Sequence, residues 1–153
     1  MRRAKGVTLV ELVMVIVILG LLAVVALPKL SETSTFRASA FRTEVVAALR
    51  YAQKTAVSHR RLVCASLTAN SVTLSMSKSY GSTSCDASLP GPDGNAAYAS
   101  SSSDLITGST GMIYFQSSGT VSSDAAGGSV SDYIIAVTGM PSISIVGVTG
   151  YVN

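Results

Sequence analysis

Gly6-Val7-Thr8-Leu9-Val10-Glu11 opens an apolar run that continues as LVMVIVILGLLAVVAL through Leu27 and stops at Pro28-Lys29-Leu30. Met1–Lys5 ahead of it carries Arg2, Arg3 and Lys5. From Val7 to Leu27 the run is 21 residues, about 31 Å as an α-helix, which matches the hydrocarbon thickness of a bilayer. The three basic residues should keep the N-terminus cytoplasmic and send the chain after Pro28 outward. A secretory signal peptide has a shorter apolar core and a small-x-small cleavage site, and neither is present. A plain anchor fits the length but leaves Glu11 unexplained. A carboxylate within a membrane helix costs roughly 2.5–3.5 kcal/mol or more and calls for a partner or a function.

Outward from this run the pattern changes twice. Phe41, Val45, Ala48, Leu49, Ala52 and Ala56 recur at three- and four-residue spacing, with Arg42, Arg50 and Lys54 largely off that stripe, so residues 29–61 read as an amphipathic helix. His59, Arg60 and Arg61 mark its C-terminal end, where positive charge suits the helix dipole. Short alternating or apolar runs then predict strands at Leu62–Leu67, Val72–Met76, Met112–Phe115, Tyr133–Val137, Ile143–Val146 and Val148–Val152, punctuated by Gly119, Gly127-Gly128, Gly139 and Gly147. The expected class is α+β: a long N-terminal helix packed on a small antiparallel sheet domain, residues 62–153. Residues 79–111, rich in Ser, Gly and Ala, read as one long polar loop.

Charge and cysteine usage narrow the function classes. The net charge is +3, yet no Lys or Arg lies beyond Lys78, and the remaining acids Asp86, Asp93, Asp104, Asp124 and Asp132 give residues 79–153 a charge of −5 by count. Nucleic acid needs phosphate neutralisation, so a distal DNA site is disfavoured and only Arg60-Arg61 with Lys78 form a small basic patch. Cys64 and Cys85 belong to no CxxC pair, which leaves a four-ligand zinc site unsupported. Outside the cytoplasm they would form one disulfide; the alternative is two partly buried thiols. A bond between them would close a loop of about 20 residues and add roughly 3 kcal/mol. Asp93-Gly94-Asn95 lacks the alternating acids of an EF-hand and reads as a plain turn. No G-x-S-x-G elbow, phosphate loop, metal-ligand cluster or Cys–His relay is visible, so neither an enzyme nor a cofactor is expected.

The segment Gly6–Glu11 resembles the processing motif of type IV prepilins and pseudopilins. The resemblance implies that a prepilin peptidase cuts between Gly6 and Val7, that Val7 is then N-methylated, and that leader 1–6 is removed. It implies that 7–28 survives as a membrane-spanning and filament-core helix. Gly20 and Pro28 fall where that family commonly has a glycine and a helix-disrupting proline; Val7 departs from its usual Phe. Glu11 would pair with the new amine of a neighbouring subunit, and breaking such a buried pair can cost about 3–5 kcal/mol. The implied partners are other pilin or pseudopilin subunits, the peptidase/methyltransferase, an inner-membrane assembly platform and, before assembly, membrane lipid. The implied location is the inner membrane, single-pass, with the globular domain periplasmic, and then a pilus or pseudopilus. Tyr51–Val57, Arg60-Arg61 with Leu62–Leu67, and Ile143–Val152 look like the H-type pseudopilin group of type II secretion systems and its minor-pilin relatives, including those of mannose-sensitive haemagglutinin type. A competence DNA receptor, or an adhesin acting through residues 79–111, are the other readings.

Overall fold

The computed structural model describes residues 8–108 and 110–153, with the side chains of 24–33 left out of the description. One helix, α1 (Leu9–His59), precedes ten strands. The chain divides into two compact units, one reaching to Phe36 and one from Arg37 to Asn153.

In the first unit, α1 begins where the sequence supplies a cap. Thr8 Oγ1 accepts the backbone N–H of Glu11 at 3.3 Å, and the Thr8 carbonyl accepts that of Leu12 at 3.2 Å. Thr8-x-x-Glu11 has the residue pattern of a capping box, which satisfies amides that a helix start leaves without partners. The helical backbone passes through position 28; the side chain of Pro28 lies outside the described residues.

The second unit is built on the remainder of α1. Ala38, Phe41, Val45, Ala48, Leu49, Ala52 and Ala56 are buried along one face, as the 3.6-residue spacing predicts. Four alanines on that face keep the helix surface low, so sheet backbone can lie close to it. The helix ends two residues before the expected boundary. Arg60 takes φ 52°, its N–H donates to the Val57 carbonyl, and the Arg61 N–H donates back to Ala56. That is a Schellman closure with Arg where Gly is usual.

Both sheets are antiparallel. In the first, β1 (Val63–Leu67) is central, between β2 (Ser71–Met76) and β6 (Gly111–Phe115), and β7 (Val121–Ser122) adds beyond β6. The expected long loop contributes three short strands. β3 (Ala87–Leu89) and β4 (Ala97–Ser100) each pair with part of β2, with a register shift between Val72 and Thr73, and β5 (Ile106–Thr107) joins the second sheet. That sheet runs β10 (Tyr151–Val152), β9 (Ile143–Val146), β8 (Tyr133–Val137), β5. The strand expected at Val148–Val152 is shorter, because the N–H groups of Thr149 and Gly150 both turn back onto the Val146 carbonyl and only Tyr151–Val152 pairs. Gly147 allows this turn to pack: a Cβ there would lie 2.5 Å from the Ser131 carbonyl oxygen.

Leu49, Val63, Leu74, Phe115, Val121, Ile135, Ile143, Ile145 and Val152 all belong to one buried cluster, so α1 and the two sheets share a single core. Cys64 points away from the helix side of β1 yet is only 3% exposed; the disulfide to Cys85 lies over that side. Helix side chains also hold the C-terminal strands. Arg50 Nε and Nη2 donate to the Val152 carbonyl at 3.2 and 3.0 Å, Arg42 Nε donates to Pro141 at 2.8 Å, and Gln53 reaches the Thr149 carbonyl.

Candidate functional site

The candidate site is the start of α1. From Leu9 to Leu22 the large aliphatic side chains are all exposed, from 45% at Val13 to 78% at Leu9. Side chains successive by 100° around a helix that are apolar on every side have no aqueous face. Glu11 is the one charged residue between positions 8 and 23. It sits in the first turn, where a carboxylate is favoured by the helix dipole, and its backbone amide is held by Thr8. At Gly20 an added Cβ would meet nothing within 4 Å, so it forms a shallow point on an otherwise bulky surface. Gly6 and Val7, the expected cut, lie outside the described residues. Glu11 and Gly20 lie on one uninterrupted helical backbone, with Thr8 capping its start.

Among the described residues no helix is long and apolar enough to cross a membrane. The described side chains of the apolar run stop at Ala23, short of the roughly 20 consecutive residues that a span needs; the expected span 7–28 therefore falls partly outside the description.

The second expected feature is present. Cys64 and Cys85 form a disulfide with Cα atoms 6.2 Å apart. It fastens β1, at the centre of the first sheet, to the segment that enters β3. Among the described residues no group of three or more His, Cys, Asp or Glu side chains is placed to hold a metal ion. Asp93-Gly94-Asn95 is a turn. Asp93 Oδ1 accepts the Asn95 backbone N–H at 3.1 Å and Oδ2 accepts its side-chain amide. These bonds, the backbone one foremost, hold the Asp93 carboxyl below the usual carboxylate range. Asp124 is held low in the same way by the Gly128 backbone N–H first, with Ser129 adding to it. Burial raises the Tyr133 phenol, whose hydroxyl donates to the Ser122 carbonyl at 3.1 Å. His59 is exposed at the helix end.

Two features escaped the sequence reading. The Thr8–Glu11 cap was legible as a Thr-x-x-Glu pattern ahead of an apolar run. The other is a groove of about 390 Å³ between α1 and the segment 92–100, lined by Glu44, Ala47, Pro92, Asp93, Ala97, Tyr98 and Ser100. No local pattern announces it, because its walls are 50 residues apart in the chain.

Residues 1–27 match the family described as the prokaryotic N-terminal methylation motif. No curated protein and no solved structure matches the chain. The match covers the basic leader, the Gly6–Glu11 segment and the apolar run, and so includes the exposed aliphatic residues Leu9–Leu22 and Glu11. The chain carries a prokaryotic N-terminal methylation motif at residues 1–27 ahead of an α+β fold, and the motif is consistent with a type IV pilin or pseudopilin.

Proposed function

We propose that the protein is a minor pilin, held in the inner membrane by residues 7–28 until an assembly platform adds it to a type IV pilus, where it primes assembly or lies near the tip. The observation that carries this reading is the helix start: aliphatic side chains exposed on every side and interrupted by one acid. Water would not tolerate so much uncovered apolar surface. Lipid covers it before assembly, and the helices of neighbouring subunits cover it afterwards.

Cleavage between Gly6 and Val7 by the prepilin peptidase, and methylation of Val7, fit the motif match. The resulting amine lies four residues before Glu11, and in a bundle of such helices the acid and a neighbour's amine neutralise each other. Gly20 offers a close-approach point for a neighbouring helix. Pro28 removes one helical hydrogen bond and so provides a place for the helix to bend on leaving the membrane. The H-type pseudopilin of a type II secretion system remains the second reading. What supports it is the resemblance of Ile143–Val152 to that group, together with the α+β order and the N-terminal motif that both readings use.

The test is to follow tagged full-length protein in its native cells, in the membrane fraction and in filaments sheared from the surface. The expected result is protein in both, with Glu11→Ala retained in the membrane and depleted from filaments. Equal incorporation of E11A would end the role given to Glu11. Wild-type protein absent from the sheared fraction while secretion depends on it would favour the pseudopilus.

A further inference from the structure

Arg42, Arg50, Asp124 and Asp132 hold backbone groups of the folded unit, but a basic cluster at one end does not. Arg60 and Lys78 are exposed and Arg61 is half-buried, and among the described residues none of their side chains makes a hydrogen bond or an ion pair within the chain. They meet at one end of the unit, because the Ser77 N–H donates to the Leu62 carbonyl and so brings Lys78 beside the helix terminus. Asp86 approaches the same edge through the Met76–Ala87 pair of β2 and β3, but its carboxylate accepts from Ser84 rather than from a base.

Farther back along α1 lies the groove lined by Glu44, Asp93 and Tyr98. Glu44 is exposed and makes no side-chain hydrogen bond among the described residues. Asp93 is aimed by its two bonds to Asn95 and stays ionised. Tyr98 is fixed against Tyr51, with ring centroids 5.5 Å apart. Two carboxylates beside an aromatic ring suit a guanidinium, which pairs with the acids and stacks on the ring.

The chain cannot fill its own groove with its own arginine. Arg60 follows Glu44 by 16 positions on the helix and its cap, about 24 Å of rise, far beyond the reach of a side chain. A second copy has no such constraint. Arg60 is also held at positive φ, where Gly would relieve the backbone; an arginine kept at a strained backbone position on an exposed end is a reason to look for its use.

We propose that this groove docks the basic helix end of a second copy of the chain, with the Arg60 guanidinium taken between Glu44 and Asp93 against Tyr98. The two surfaces differ, so the contact is head-to-tail and does not pair two copies symmetrically; it closes into a ring or runs on as an open array according to the rotation between copies. An assembly built this way holds at least two copies side by side. The contact gains its purpose from the filament-subunit reading, but it is measured independently of processing and membrane location.

The experiment uses the full chain in detergent micelles. Two differently tagged variants that keep Arg60, Glu44 and Asp93, His59→Cys and Ser100→Cys, are mixed and joined with a short bis-maleimide, and the cross-linked peptide is mapped by mass spectrometry. The proposal predicts a 59–100 cross-link between the two tags and none when Ser118→Cys replaces S100C. Equal cross-linking at 118, or none at 100, overturns it. In parallel, sedimentation measures self-association. Arg60→Gly removes the guanidinium while relieving the backbone, so its effect is not one of unfolding. It should weaken self-association about tenfold, as should Glu44→Arg. Mixing Arg60→Glu with Glu44→Arg should restore it. Unchanged self-association in R60G overturns the proposal. So does loss of low-salt duplex-DNA binding in R60E with self-association intact, which would assign the basic end to nucleic acid.

Discussion

Single residues in this chain do work that their type alone does not disclose. Arg60 closes α1 in the left-handed region, which costs an L-residue roughly 1–2 kcal/mol relative to the right-handed region, a cost Gly escapes. Arg60→Gly should therefore stabilise the fold by about 0.5–1 kcal/mol, read as a raised midpoint in urea at unchanged m-value; a lowered midpoint would mean that the arginine side chain supports the fold itself. Asp124 is a second case. Its carboxyl is held below the ordinary value by the Gly128 and Ser129 amides, so the folded state favours the ionised form. The sign follows by linkage: the contribution is present above the unfolded pKa, near 4, and is lost as pH falls through the lower folded value. Asp124→Asn should be less stable than wild type at neutral pH, and the gap should narrow below about pH 4. A gap constant with pH would show that the carboxylate charge is not what the loop uses. Arg42, Arg50 and Gln53 clasp the C-terminal carbonyls, yet in sequence they are only polar residues off the apolar stripe, because the acceptors they find are about 100 positions away.

At the scale of elements, local pattern was a good guide where an element is long or alternates cleanly. The helix face Phe41–Ala56 and strands Ser71–Met76 and Tyr133–Val137 follow their periodicities closely. What was not legible are the two- to four-residue strands: Ala87–Leu89, Ala97–Ser100, Ile106–Thr107 and Val121–Ser122. Runs so short carry no measurable alternation, and Ser and Ala have little strand preference of their own. Ala87–Leu89 and Ala97–Ser100 pair on β2, Ile106–Thr107 on β8 and Val121–Ser122 on β6, and the disulfide holds the chain beside β2. That disulfide closes a loop of 21 residues, for which chain entropy gives about 3 kcal/mol. Replacing both cysteines, Cys64→Ser with Cys85→Ser, should lower stability by about that amount in thermal or urea unfolding. It should also raise hydrogen exchange first in 79–100. An unchanged exchange pattern would mean that the β2 edge alone holds this segment.

For the whole molecule, the two units dispose of their apolar residues differently. The unit from Arg37 to Asn153 buries its apolar residues around one core, whereas the start of α1 exposes them on every side. The sequence made this division plain, because a 21-residue run, apolar apart from Thr8, Glu11 and Gly20 and flanked by Arg2, Arg3 and Lys5 at one end and Pro28 at the other, has few soluble explanations. The groove at Glu44, Asp93 and Tyr98 exists only once helix and loop have come together, and so it is a property of the fold. The central claim is that the apolar helix belongs to the mature chain, released from its leader by a cut ahead of Val7. It is tested most directly by intact mass and N-terminal mapping of protein purified from its native membrane. The account predicts loss of Met1–Gly6 and a methylated amine on Val7. A chain that keeps Met1, or begins beyond Leu27, would contradict it and leave a plain anchor or a secreted domain.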